Sequence, residues 1–118
     1  MVKKTIKYTD FNGNEVEETL YFNLSQTEQT KMELSKKEGL SNYIKGAVES
    51  GDNAALLELF TNLLVESFGI KSEDGKRFIK SAQLKEEFAQ SAAFDALFME
   101  IATNPDAAEA FVKGITNK

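Results

Sequence analysis

The side chains best placed for chemistry are the run Ser72-Glu73-Asp74-Gly75 and the carboxylate pairs Glu17/Glu18 and Glu86/Glu87. Oxygen ligands ahead of a glycine invite a calcium loop. Such a loop needs oxygens five, three and one residues before the glycine, and a glutamate six after it. Ile70 occupies the first of those positions and Ser81 the last, so the run reads as a turn built on Asp74 and Gly75. Acid–base catalysis by paired carboxylates needs two groups converging in a cleft with separated pKa values. Sequence neighbours on a helix or strand point to different faces, so both glutamate pairs read as solvated. The glycines at 13, 39, 46, 51, 69, 75 and 114 stand singly, in neither a G-x-G-x-x-G nor a P-loop spacing. The chain has no histidine, so a serine or threonine nucleophile would lack its usual base. It has no cysteine, which excludes disulfides and thiolate metal sites. The residues predict no enzyme, no cofactor and no metal.

Composition narrows the partners. A chain of 118 residues, 42% hydrophobic and 28% charged, suits one globular domain spanning 1–118. A chain of this length buries about two-thirds of its unfolded surface. Nine phenylalanines and no tryptophan make Phe the anchor of the core. The net charge of −5 opposes nucleic acid, and Lys3, Lys4, Lys7, Lys36 and Lys37 form short local pairs rather than a phosphate-binding face. Tyr8, Asp10 and Asn12 stand where a signal peptide would carry its apolar run. No apolar stretch approaches the roughly 20 residues of a membrane span. A cytosolic protein without a membrane partner is the expectation.

The elements follow from periodicity. Val2, Lys4, Ile6 and Tyr8 share one face of a strand, and Val16, Leu20 and Phe22 face inward beside Glu18 on a return strand over 15–23. Asn12-Gly13 between them is a two-residue hairpin signal. A lone hairpin is marginal in water, so it must lie on helices or extend another sheet, and one strand edge is left open. Ser25-Gln26-Thr27-Glu28 spells a capping box. The helix it opens is mostly polar, with Met32 and Leu34 its main apolar residues, and is expected to end at Gly39 with an exposed face. Leu40, Tyr43, Ile44, Ala47 and Val48 form an amphipathic stripe, and Ser50-Gly51-Asp52 breaks it and supplies an N-cap.

Residues 53–68 are apolar over most of a helical circumference, with only Glu58, Asn62 and Glu66 as a polar stripe. Such a helix is either buried on two sides or half buried and half offered to a partner. Gly69 is expected to close it. Residues 70–80 form a tight hairpin or an ordered loop around Asp74-Gly75. Leu84 and Phe88, then Phe94, Leu97, Phe98 and Ile101, resume the helical period, with Ser91 either capping a new helix or marking a bend. Asn104-Pro105-Asp106 restarts the chain for a last helix with Ala108, Phe111, Val112 and Ile115 on its apolar face. The fold class is therefore α+β and mainly helical: a hairpin over 1–24, helices over 25–69, a turn or short hairpin over 70–80, and helices over 81–118. About five helices follow the hairpin. Phe88, Phe94, Phe98 and Phe111 either fill the core or offer an apolar face to a partner's helix.

The stretch 68–99 carries one more signal. Ser72-Glu73-Asp74-Gly75-Lys76-Arg77-Phe78-Ile79-Lys80-Ser81, followed by Glu87-Phe88, Leu97-Phe98-Met99 and Phe111-Val112-Lys113-Gly114-Ile115, resembles the tail assembly chaperones of siphophages of Gram-positive hosts. The resemblance is densest over 67–115. Phe68 stands where that family more often has tyrosine.

The resemblance implies a non-catalytic protein of the host bacterium's cytoplasm. It implies a chaperone that holds the tape measure protein while tail tube subunits assemble, and that leaves before the virion is complete. The tail tube protein is a further implied partner, and the chain ends where the shorter form of such chaperones ends. The open hairpin edge adds self-association as an expectation. An acidic phage regulator that mimics DNA is the alternative reading, but it calls for denser carboxylates and fewer than the 14 basic residues present.

Overall fold

Strand, turn and cap signals place ten elements among the described residues. The computed structural model describes residues 1–35 and 40–116, with the side chains at 33–41, 43 and 44 left out of the description. The strands are β1 (Val2–Thr9), β2 (Glu15–Phe22), β3 (Phe68–Lys71) and β4 (Phe78–Ile79). The helices are α1 (Gln26–Ser35), α2 (Leu40–Ser50), α3 (Asn53–Ser67), α4 (Ala82–Ala89), α5 (Ala92–Ala102) and α6 (Pro105–Ile115). The class is α+β and mainly helical, as the periodicity predicts. Among the described residues there are six helices, because Ser91 caps a new one: its hydroxyl accepts from the Phe94 amide at 3.1 Å.

The hairpin keeps its predicted faces but not its predicted turn. Thr9 pairs with Glu15 and Val2 with Phe22, which centres the loop on Asn12 rather than between Asn12 and Gly13. The Gly13 amide donates to the Asp10 carbonyl at 3.0 Å, and Asp10 and Asn14 close the loop at 2.9 Å. Asp10 Oδ1 also accepts from the Asn12 and Asn14 amides. Gly13, at φ +82°, is the left-handed residue of a three-residue loop. A two-residue turn would shift the register by one and turn the apolar residues of β2 away from Ile6 and Tyr8. The apolar pattern outweighs the local turn preference. Ile6, Leu20 and Phe22 are buried as a result.

The hairpin does not stand alone. β3 adds to β2 through Tyr21↔Gly69 and Phe22↔Phe68, and β4 adds to β3 through Ile70↔Ile79 and Lys71↔Phe78, giving the antiparallel order β1-β2-β3-β4. The 70–80 segment is thus a hairpin, and it extends the first one. Gly69 lies within β3 rather than ending α3, which stops at Ser67. A Cβ on Gly69 would lie 2.6 Å from the Phe78 ring and 2.9 Å from the Ile79 carbonyl, so only glycine lets the two strands approach this closely.

The helix starts, and the end of α2, follow the predicted chemistry. Ser25 and Glu28 form the reciprocal capping box, at 3.0 and 3.1 Å. Gly51, at φ +71°, ends α2 in a Schellman motif, with Gly51 N–H donating to Val48 O and Asp52 N–H to Ala47 O. Asp52 then caps α3 through the Ala55 amide. Asn104 Oδ1 caps α6 on the Asp106 and Ala107 amides, with Pro105 in the first turn. The expected end of α1 at Gly39, and the Leu34, Leu40, Tyr43 and Ile44 side chains, lie outside the description. Of the α2 stripe, Ala47 is buried, whereas Val48 is 60% exposed. The stripe is therefore not covered throughout.

Helix α5 crosses β1, and α3, α4 and α6 complete the core around Phe22, Leu63, Leu64, Leu97 and Ile115. Leu24, just after β2, donates its amide to the Ile115 carbonyl at 2.9 Å, tying the hairpin's exit to the last helix. Ile6, Leu20, Phe22, Phe88, Leu97, Ile101, Ala108, Phe111 and Ile115 lie on the apolar faces that their elements' periods predict, and Leu24 and Ala93 join them in the core.

Candidate partner-binding site

The turn singled out in the sequence is held entirely by itself. Ser72 Oγ donates to Asp74 Oδ1 at 2.7 Å and accepts from the Arg77 amide at 3.0 Å. Asp74 Oδ1 also accepts from the Lys76 amide, and Gly75 sits at φ +72°. The Ser72 hydroxyl, then that amide, hold the Asp74 carboxyl below the ordinary carboxylate range. These bonds occupy Asp74 Oδ1 with internal donors, so Asp74 and Gly75 shape a turn. Among the described residues no cluster of three or more Asp, Glu, His or Cys is placed to hold a metal ion.

The residue that matters in this stretch is Lys80, which sequence reasoning passed over. Its ammonium donates to the Asn23 carbonyl at 2.8 Å, Glu28 Oε2 at 2.7 Å and the Glu66 carbonyl at 2.8 Å. One cation thereby joins the exit of β2, the first turn of α1 and the last turn of α3. The Glu66 carbonyl belongs to the negative end of α3, where a cation is stabilised. Lys85 reinforces the same corner through Glu66 Oε2 at 2.8 Å. Burial by itself raises the Glu28 carboxyl, but the hydrogen bonds from Lys80 and Ser25 outweigh it and leave that group below its ordinary value.

The four phenylalanines proposed from the sequence meet in one run of rings. Phe111 lies edge-on to Phe22 at 5.4 Å, Phe22 meets Phe88 at 5.6 Å, Phe88 meets Phe94 at 5.4 Å, and Phe94 stacks on Phe98 at 6.0 Å. Phe68 stacks on Phe88 at 4.3 Å. Pairs at these distances add about 1 kcal/mol each beyond the area they bury. Their exposure divides them. Phe88 and Phe111 are buried, whereas Phe94 and Phe98 are half-buried and pack against the core from outside.

A second apolar surface was not located by the sequence. Leu56 and Phe60 of α3 face Ile101 and Ala102 of α5 and Ala108 and Val112 of α6 across a groove of about 560 Å³. Among the described residues, Val48, Pro105, Asn53, Glu109 and Lys113 also line it. Glu109 and Lys113, one turn apart on α6, form an ion pair at 2.8 Å on its rim. Leu57, beside Leu56, is 42% exposed. Helix α3 is therefore half buried, through Leu59, Leu63, Leu64 and Ser67, and half open. The excess of apolar residues over 53–68 is the signal in the sequence that points here, through the alternative of a helix half buried and half offered to a partner.

The hairpin carries one further perturbed group. The Tyr8 hydroxyl donates to Glu18 Oε2 at 2.7 Å. That bond, with burial and the charges of Glu18 and Asp10, pushes the Tyr8 pKa up to about 12.

Against this geometry, a family model described as phage tail assembly chaperone matches residues 1–117. The chain belongs to the phage tail assembly chaperone family. Comparisons with curated proteins and with solved structures returned no match. The match runs through the hairpin as well as the 67–115 region, so it spans all four strands of the sheet. Among the described residues, no helix of the chaperone is long and apolar enough to cross a membrane.

Proposed function

We propose that the chaperone binds the tape measure protein of a siphophage of a Gram-positive host, without catalysis, and holds it while tail tube subunits assemble. The single observation that carries this reading beyond the family is the open apolar groove between α3 and α6. The tape measure protein of such phages is long and helical, so a soluble binder must offer an apolar surface shaped for a helix. Anchor residues one and two helical turns apart on the partner would fill the space between Leu56, Phe60 and Val112. Affinity per copy can be modest, because many copies on one rod gain from multivalency. The net charge of −5 keeps a protein with an uncovered apolar groove in solution. The working compartment is the cytoplasm of the host, and the chaperone leaves before the virion is complete. The tail tube protein is the second candidate partner.

In this reading the four phenylalanines divide by exposure. Phe94 and Phe98 have surface left to meet a partner, and Phe88 and Phe111 act by holding the helices in place. Self-association through the hairpin is a further part of the proposal, limited by charge. The outer edge of β1 is flanked by Lys3 and Lys7, and two β1 edges pairing antiparallel about Thr5 would set Lys3 of one copy against Lys7 of the other.

Co-expression tests the function. The gene for the phage's tape measure protein, the neighbour meant here, is expressed with the wild-type chaperone or with Leu56→Glu/Val112→Glu. The expected result is a soluble neighbour only with the wild type. A neighbour equally soluble with the double variant, shown to be folded by circular dichroism, removes the groove from the mechanism. A neighbour that is soluble without the chaperone overturns the proposed function.

A further inference from the structure

A second cleft lies at the start of α5, between the hairpin tip and the corner where α4 meets α5. It encloses about 570 Å³, and Tyr8, Phe11, Ser91, Phe94 and Asp95 are among its lining residues. An adjoining recess of about 200 Å³ shares Tyr8 and Ser91 and is lined further by Phe68, Phe88, Glu18 and Glu87. The Phe11 side chain is 86% exposed. It has no part in the hairpin loop, which Asp10, Gly13 and Asn14 hold closed. Phe11 thus adds nothing to the core, yet it stands on one cleft with the half-buried Phe94. Charge decides what fits there. Among the described residues, every charged side chain lining the two spaces is a carboxylate: Glu18, Glu87 and Asp95. Each keeps an oxygen without a donor, since Tyr8 engages only Glu18 Oε2 and Gln83 only Glu87 Oε1, and no described group donates to Asp95. The cations nearby are committed elsewhere: Lys4 pairs with Glu100 and Lys85 with Glu66, while Lys3 and Lys7 alternate onto the opposite face of the hairpin. The Tyr8 hydroxyl reports the same imbalance. The Glu18 hydrogen bond, burial and the charges of Glu18 and Asp10 all raise its pKa, and no cation offsets them.

We propose that this cleft docks a segment of a partner protein in which a large apolar side chain stands beside an arginine or lysine. The apolar side chain packs between Phe11 and Phe94, and the cation reaches the open oxygens of Glu18, Glu87 and Asp95. The aliphatic stem of that cation lies along the Phe68 and Phe88 rings that line the recess. Opposite charge fixes the register of such a segment, and a segment flanked by glutamate is repelled. The proposal rests on the reading of Phe94 as a partner contact and adds the chemistry of what meets it. It shares no lining residue with the groove between α3 and α6, so either site can fail without the other.

The test uses the full chain and three synthetic peptides of equal length with one identical phenylalanine-leucine centre, flanked by arginine, glutamine or glutamate. Amide chemical shifts locate binding and fluorescence anisotropy measures it, at about 0.05 M salt. The expected result is shifts at Phe11, Ser91 and Phe94, with the arginine peptide about tenfold tighter than the glutamine peptide and the glutamate peptide weakest. In Glu18→Gln/Asp95→Asn, which leaves Tyr8 an acceptor at position 18, the arginine preference should fall to about threefold or less. Phe11→Ala should weaken all three peptides and leave the thermal midpoint unchanged, because the ring packs on nothing in the fold. Equal affinities for the three peptides at Phe11 and Phe94 overturn the charge preference. Absence of shifts there with the arginine peptide, or shifts confined to Leu56, Phe60 and Val112, overturns the site while leaving the groove untouched.

Discussion

The Lys80 ammonium sits 2.7 Å from the Glu28 carboxylate and, from that position, also reaches the Asn23 and Glu66 carbonyls. Glu28 meanwhile completes the capping box with Ser25. A helix cap and a tertiary clamp therefore share one carboxylate, and the 70–80 hairpin is fastened to α1 and α3 by a single side chain. In Lys80→Met the stem is kept and the charge removed, leaving Glu28 and two carbonyls short of a donor. We expect a loss of about 2 kcal/mol, the scale of hydrogen bonds to a charged group. Urea unfolding measures it, and an unchanged midpoint would mean that the clamp is ornamental.

The same carboxylate sets an acid dependence. The folded-state pKa of Glu28 lies below its ordinary value of 4.5, so the pairing stabilises the fold above that value. The contribution disappears as pH falls through the folded value, because the unfolded chain then takes up the proton first. Urea midpoints measured from neutral pH downward should drop more steeply below about pH 4.5 in the wild type than in Glu28→Gln.

At the other end of the scale, the Tyr8 hydroxyl titrates near 12 in the folded protein against an ordinary 10.0. A raised folded pKa contributes stability that is complete below pH 10 and lost between 10 and 12. Absorbance of tyrosinate should show a late step near pH 12 that vanishes in Tyr8→Phe and moves earlier in Glu18→Gln. Persistence of the late step in Tyr8→Phe would contradict the assignment.

Gly69→Ala should cost about 1–3 kcal/mol, as overpacking does. Phe78→Leu in the same chain should recover only part of this, because the Ile79 carbonyl stays 2.9 Å from the new carbon and belongs to the backbone. A double-mutant cycle in thermal unfolding separates the two contributions.

The phenylalanine run can be divided experimentally. Phe88→Ala should destabilise by about 3–5 kcal/mol, since the ring is buried among Phe22, Phe68 and Phe94. Phe98→Ala, at a half-buried position with a ring contact to Phe94, should cost less than half of that. If Phe98→Ala unfolds the chain as readily as Phe88→Ala, its ring belongs to the core rather than to a surface open to partners.

What the residues determined by themselves is local. Alternation placed Val2, Lys4, Ile6 and Tyr8 on one face, and Ser25, Asp52, Asn104 and Gly51 fixed helix ends, because a cap is satisfied within a few residues of itself. Even there, Asn12-Gly13 misled: the turn yielded to a register that keeps Leu20 and Phe22 inside. The family pattern around 72–81 was equally legible, since it is a string of neighbours. Tertiary structure decided the rest. An apolar period names the face that must be covered but not what covers it. So the sequence could not say that β3 would complete the hairpin's open side, or that Phe88 and Phe111 would go under while Phe94 and Phe98 stayed at the surface. Nor could it say that Lys80, one of several lysines in a polar run, would end against partners 52 and 57 positions away. The groove arises from the same long-range geometry: α3 carries more apolar surface than the core can take, and the spacing of α3 from α6 leaves the remainder uncovered.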